Sequence, residues 1–196
     1  MTRPLTFTQQ ARRQQLIDAT VATVAELGYA RCSLQHIADA AGITKAAVIY
    51  HFPSRSALVR AAYEQVIAEL VEHVGARVAA AGSPAAAVDA YVAAMIEHLA
   101  GRPAHIRMIT EALDADGADI TDRADRPARW RPLAELVDAA IAAGEFRADL
   151  DARSAAIVLG GGIDHLLVEF LGDPDFDPVV GGETLREVFR RGARPS

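Results

Sequence analysis

Apolar positions recur at three- and four-residue steps along most of the chain, and strand-like alternation is absent, so the pattern predicts an all-α protein of about nine helices. The first helix begins near Thr6 or Thr8 and ends at Gly28, with Leu16, Ile17, Val21, Val24 and Leu27 on its apolar side. Ser33 caps the second, whose stripe is Leu34, Ile37, Ala38 and Ala41. Gly42 permits a left-handed turn, Ile43 plugs the corner, and Thr44 caps a third helix that turns Val48 and Phe52 inward. Pro53 ends that helix, because its ring cannot sit inside a continuing one. Ser54 opens a long fourth helix with Leu58, Ala62, Val66, Leu70 and Val74 at four-residue steps, reaching about Ala80. The fifth runs from Ser83 as cap to about Ala100, the sixth over 104–113 and the seventh over 128–143. An eighth continues from Asp151 to Leu171, and the ninth covers 183–191.

The third helix has an unusual outer face. It shows Lys45, Ala46, Ala47, Tyr50 and His51, with no acid among them. A solvated face is more often laced with Glu and Lys. Small residues allow close approach to bases and phosphates, and Tyr and His can donate to phosphate oxygens. With the glycine turn before it, the segment reads as a helix-turn-helix.

Gly28-Tyr29, Ser33, Ile37-Ala38, Ala40-Ala41-Gly42-Ile43-Thr44-Lys45, Tyr50-His51-Phe52, Ser54-Arg55 and Leu58 resemble the DNA-binding domain of TetR-family transcriptional regulators. The resemblance covers roughly residues 10–63 with its spacing unbroken. Ala46 stands where the family often has Gly, Ala47 where Thr or Ser is common, and Ile49 where an aromatic is frequent. The resemblance implies a helix-turn-helix domain over 1–53 and an effector-binding and dimerisation domain over 54–196, joined by the long helix from Ser54. The DNA-contacting set it implies is Ser33, Thr44, Lys45, Ala46, Ala47, Tyr50, His51 and Arg55. Arg12 and Arg13, near the start of the first helix, are candidates for phosphate contact, and Arg3 for a minor groove.

The eighth helix has almost no polar face, which predicts burial nearly all round. It also contains Gly160-Gly161-Gly162, at a cost of about 1 kcal/mol each against alanine in an isolated helix. Close approach of another helix is the natural compensation. The resemblance implies that the last two long helices pair with their symmetry mates in a four-helix bundle, through Ile157, Gly161, His165, Val168, Leu185 and Val188. The expected assembly is a homodimer reading a palindromic operator in double-stranded DNA, with half-sites about one helical turn or a little more apart.

Charge changes the picture once it is resolved along the chain. The net charge is −6, but residues 1–63 carry seven Lys or Arg against three acids, and the remainder carries −10. A basic amino-terminal module on an acidic body suits a DNA reader with a separate regulatory part. Apolar residues make up 51%, much of it alanine, which favours close helix packing. No apolar run approaches the roughly 20 residues that span a bilayer, so no membrane partner is expected. The amino terminus lacks a signal-peptide pattern, and the single cysteine, Cys32, reads as a small packed residue in a reducing cytoplasm.

A small-molecule effector, largely hydrophobic, is the expected trigger. Met95, Leu99, Met108, Trp130, Val137, Leu159, Ile163 and Leu166 are the candidate pocket lining, with His98, His105 and His165 as polar contacts. Glu69/His73 and His165/Glu169 have helical spacing for a metal, but two ligands do not make a site. The acidic run near Gly117 fails as a calcium loop, because Ala112 and Arg123 would occupy its two essential carboxylate positions. There is no nucleophile with a base, no phosphate loop and no complete metal set, so neither an enzyme nor a cofactor is expected. The leading reading is a dimeric repressor released by its effector; the alternative is an effector-independent, architectural DNA binder.

Overall fold

The computed structural model describes residues 6–113, 126–173 and 175–195, and these form nine helices and no strand. They are α1 (Phe7–Leu27), α2 (Leu34–Ala40), α3 (Lys45–His51), α4 (Arg55–Ala79), α5 (Pro84–Ala100), α6 (Pro103–Leu113), α7 (Arg126–Ala142), α8 (Ala152–Gly172) and α9 (Pro178–Ala193). The acidic run after Leu113 lies outside the described residues.

Short polar side chains start these helices by accepting from otherwise orphaned amides. Thr6 forms a capping box with Gln9. The Ser33 hydroxyl accepts from the His36 amide, Thr44 from Ala47, Ser54 from Ala57 and Ser83 from Ala86. Asp151 caps α8 through the Ser154 amide. The ninth helix begins five residues earlier than the periodicity predicts. Asp177 accepts from the amides of Val179 and Val180, and Pro178 occupies the first turn, where its missing N–H costs nothing. Gly181 and Gly182 look like a loop signal but lie inside this helix. A Cβ there would come within 2.6 Å of Leu166 and 2.5 Å of Ile96.

The chain divides into two compact units. The first takes the described residues of Met1–Ala68 and Ala104–Asp122. Its core holds Leu16, Val24, Tyr29, Cys32, Ile37, Val48, Phe52, Leu58 and Val59, and α6 adds Met108, which is fully buried there. The second unit takes the described residues of Glu69–Pro103 and Arg123–Ser196, with α8 packed against α5, α7 and α9.

Two expectations about α8 need correction. It is not buried nearly all round within the chain. Ala152, Ala155, Ala156, Leu159, Ile163 and Leu167 are buried, whereas Ile157, Val158 and Val168 on other faces are exposed. Only Gly162 meets a neighbour closely, since a Cβ would sit 2.9 Å from both Leu185 methyls; Gly160 and Gly161 face open space. Nor does the chain lack an apolar stretch of bilayer length. The 21 residues of α8 are long and apolar enough, by length and composition, to cross a membrane. Its small residues hid this, because Gly and Ala break up the Leu, Val and Ile without adding charge. A core helix of a helical unit passes the same test, and the buried stripe on α5, α7 and α9 is of that kind.

Candidate nucleic-acid interface

The turn between α2 and α3 is built by hydrogen bonds that only a left-handed residue permits. Gly42 has φ +65°, its amide donates to Asp39 O at 3.1 Å, and the Ile43 amide reaches back to Ala38 O at 3.0 Å. Gln15 of α1 donates to the Ala41 carbonyl at 3.0 Å and so holds the same corner. These bonds fix where α3 starts. Val48 at 0% exposure and Phe52 at 2% then anchor its inner side in the core.

The outer side of α3 is therefore a rigid presentation. Thr44, Lys45, Ala46, Ile49 and Tyr50 are exposed, Tyr50 to 74%, while Ala47 and His51 are half-buried. The rings of Tyr50 and His51 meet edge to face, with centroids 5.1 Å apart. Ser33 is half-buried and its hydroxyl is committed to capping α2. The His51 pKa lies below its ordinary 6.5, first because burial penalises the charged ring and then because Arg13 and Arg12 repel it. The shift favours the neutral imidazole, which offers a hydrogen-bonding tip rather than a charge.

Arg55 and Arg13 are engaged inside the protein. Arg55 Nη1 donates to the carbonyls of Tyr29 at 3.1 Å and Cys32 at 3.0 Å, and its guanidinium lies 4.3 Å over the Tyr29 ring. Arg13 stacks 3.9 Å over Phe52 and donates to the His51 carbonyl, closing the last turn of α3. Arg13 thus positions the exposed helix from behind. Arg12 remains on the surface, bonded to Gln15. Ile49, absent from the expected contact set, is 46% exposed beside Tyr50. The signal for it was its helical phase, one step outside Val48.

Cys32 is fully buried, and burial pushes its thiol up to about 11, against a smaller lowering by Arg55. A thiol in that state is a poor nucleophile.

The second unit distributes the other expected residues. Met95 and Leu166 are half-buried, and Leu99, Val137, Leu159 and Ile163 are buried. Arg153 lies 4.9 Å over the half-buried Trp130 ring. Met108, by contrast, is a core residue of the first unit. A groove of about 530 Å³ runs between the start of α8 and the end of α9, floored by Ala155, Val158, Leu159, Leu185, Val188 and Phe189. Ile157, Val168 and Val188 are exposed, Val188 to 66%. His165 is exposed, and its Nδ1 donates to the Gly161 carbonyl at 2.8 Å. His73 and His98 pack ring against ring at 4.8 Å, and Arg102 donates to His98 Nδ1 at 3.4 Å. No group of three or more metal-ligating side chains occurs among the described residues.

Comparison with known proteins places this geometry. Residues 16–62 match the family model described as bacterial regulatory proteins, tetR family. A curated relative, the HTH-type transcriptional regulator BetI of Serratia proteamaculans, is 37% identical over 86 residues. That match takes in 43% of this chain and 43% of the relative's length. Among solved structures, the transcriptional regulator FadR from Bacillus subtilis, in complex with stearoyl-CoA, superposes with a TM-score of 0.80 at 19% identity, covering 92% of this chain and 99% of that one. SmeT, the repressor of the Stenotrophomonas maltophilia multidrug efflux pump SmeDEF, gives 0.76 at 22% identity, covering 95% and 92%. Residues 16–62 are thus similar to the tetR-family model, and the all-α fold is similar over nearly the whole length to these solved regulators.

Proposed function

We propose that the protein is a cytoplasmic transcriptional repressor that binds a palindromic operator as a homodimer and is released by a small hydrophobic effector. The observation that carries this reading is α3: a helix locked into the core by Val48 and Phe52 that presents Lys45, Ala46, Ile49 and Tyr50 outward without an acid. A helix with small and cationic outer residues fits a major groove, where phosphate contacts orient it and side-chain tips meet base edges. Thr44, Ala47 and His51 border the same face, with Ser33 and Arg55 supporting it.

The homodimer is supported by the uncovered apolar face of the second unit. Ile157, Gly161, His165 and Val168 succeed one another at three- and four-residue steps along α8, and Leu185 and Val188 continue the surface on α9. A second copy related by a two-fold axis would bury these residues and supply the partner for Gly161 that this chain lacks. The effector reading rests on the second unit's apolar interior, and on solved relatives of the same fold that include a stearoyl-CoA complex and an efflux-pump repressor. Release requires the effector to favour the non-binding geometry by a few kcal/mol.

Selection from a random-sequence duplex library with purified full-length protein is the direct test. The expected product is an inverted repeat. Recovery of no enriched sequence, or of a single unrepeated half-site by a protein of monomer mass, overturns the reading.

A further inference from the structure

The elbow between α1 and α2 is gripped by side chains from two other helices. Gly28 sits at φ +77°, ψ 159°, a conformation almost confined to glycine. That twist takes the chain out of α1 and turns the Tyr29 amide away from the helix ladder. The amide donates instead to the Glu111 carboxylate at 2.8 Å, across 82 residues of sequence. Glycine serves a second purpose here, because a Cβ at position 28 would lie 3.1 Å from Glu111 Oε1. The Tyr29 and Cys32 carbonyls are held from another direction by Arg55.

Glu111 is not an isolated contact. Arg107, one turn earlier on α6, donates to the Ala25 carbonyl in the last turn of α1 at 3.4 Å, and Met108 is fully buried in the same core. Met108, with Ala104 and Ile109 beside it, thus seats α6 in this core, while Arg107 and Glu111 bind backbone around the place where α1 ends. The chain leaves that unit along α4 after Ala68 and re-enters it between Pro103 and Ala104, at the first residue of α6. The elbow also sets the entry to α2, whose far end carries the Gly42 turn and so α3.

We propose that Glu111 is a positioning residue for DNA recognition: its carboxylate latches the Tyr29 amide and holds α2 and α3 at the angle at which α3 meets a groove. The inference rests on the reading of α3 as a DNA-contacting helix. The latch works by reach and acceptor geometry rather than by charge alone, since its partner is a neutral backbone amide. An amide carbonyl of the same length can replace it, whereas a carboxylate one methylene shorter cannot.

The test uses full-length protein and three variants: Glu111→Ala, Glu111→Gln and Glu111→Asp. Hydrogen exchange at the Tyr29 amide is measured by NMR, and affinity is measured for a duplex that wild-type protein recovers from a random library. Glu111→Ala and Glu111→Asp are expected to exchange Tyr29 at least about tenfold faster and to lose about tenfold in affinity, with dimer mass unchanged. Glu111→Gln is expected within about threefold of wild type on both readouts. Should Glu111→Ala fail to fold, the contrast between Gln and Asp still decides, because a generic loss of packing gives no rescue by Gln alone. Affinity kept by Ala and Asp, or kept by Asp and lost by Gln, overturns the latch while the DNA-reading assignment stands. Failure of the wild type to enrich any duplex overturns that assignment and the positioning role with it. Tyr29 exchange then reports separately whether the hydrogen bond itself forms.

Discussion

α3 and α8 each leave part of their surface uncovered, but the balance of polar and apolar side chains differs. The seven residues of α3 expose a lysine, small side chains, Ile49 and a phenol, while α8 exposes Ile157, Val158 and Val168. The first surface suits a partner that is charged and hydrated, where hydrogen bonds and phosphate contacts replace water. The second suits a partner that is itself apolar, because only burial recovers the cost of leaving such side chains in water. Their support differs too. Caps, a glycine turn and directed bonds from Gln15 and Arg13 fix α3, whereas α8 relies on packing against three other helices. One chain therefore carries a polar, cationic face held by directed hydrogen bonds and an apolar face left by helix packing.

The comparison is broken most severely by charging the α8 face. Gly161→Asp should convert the dimer to a monomer and lower operator affinity on the order of 100-fold, since each half-site is then bound without its mate. The space beside Gly161 is open in the single chain, so helical content by circular dichroism should persist. Sedimentation showing an intact dimer would move the seam elsewhere. A smaller effect is expected on α3. Tyr50→Ala should weaken operator binding by about 1–3 kcal/mol. At 74% exposure, its removal should change unfolding free energy by no more than about 0.5 kcal/mol. Unchanged affinity in an anisotropy titration would remove Tyr50 from the contact.

Lys45→Ala sharpens the same face. A phosphate contact predicts that the slope of log affinity against log salt falls by about 1, with base preference kept. Relaxed preference at one base position, without a change in slope, would assign Lys45 to a base edge. The smallest expected effect is at His51. Its folded pKa lies below 6.5 through burial first and repulsion by Arg13 and Arg12 second. The folded state thus prefers the neutral ring, and the contribution to stability is present above pH 6.5 and lost as pH falls through the lower folded value. An imidazole titration followed by NMR should show a midpoint below 6.5 that rises in Arg13→Ala. A midpoint at or above 6.5 in the wild type would contradict this.

Local signals explain what the sequence revealed. Ser33, Gly42, Thr44 and Pro53 act on residues within four positions, so α2, the turn and α3 are legible from adjacent residues. Arg55 entered the expected contact set through the family resemblance, and its bonds to Tyr29 and Cys32, 26 and 23 residues away, are not legible from its neighbours. Arg13 pairs with His51 across 38 residues, and Glu111 with Tyr29 across 82. No periodicity encodes such pairings. The start of α9 was missed for a different reason. Asp177-Pro178 is a helix-opening pair, but Gly181-Gly182 outweighed it until Ile96 and Leu166 supplied a need for small residues. Met108 shows the limit of reading apolar residues one at a time: its hydrophobicity marks it as interior without saying which interior.

The burial of Cys32 has a practical side. At neutral pH its thiol is both shielded and almost wholly protonated, so maleimide and related reagents should pass it by in the native protein. A second cysteine placed on an exposed part of α3 or α8 would then be the preferential labelling position. Spin or fluorescent probes for distance measurements can be attached there without first replacing the native residue.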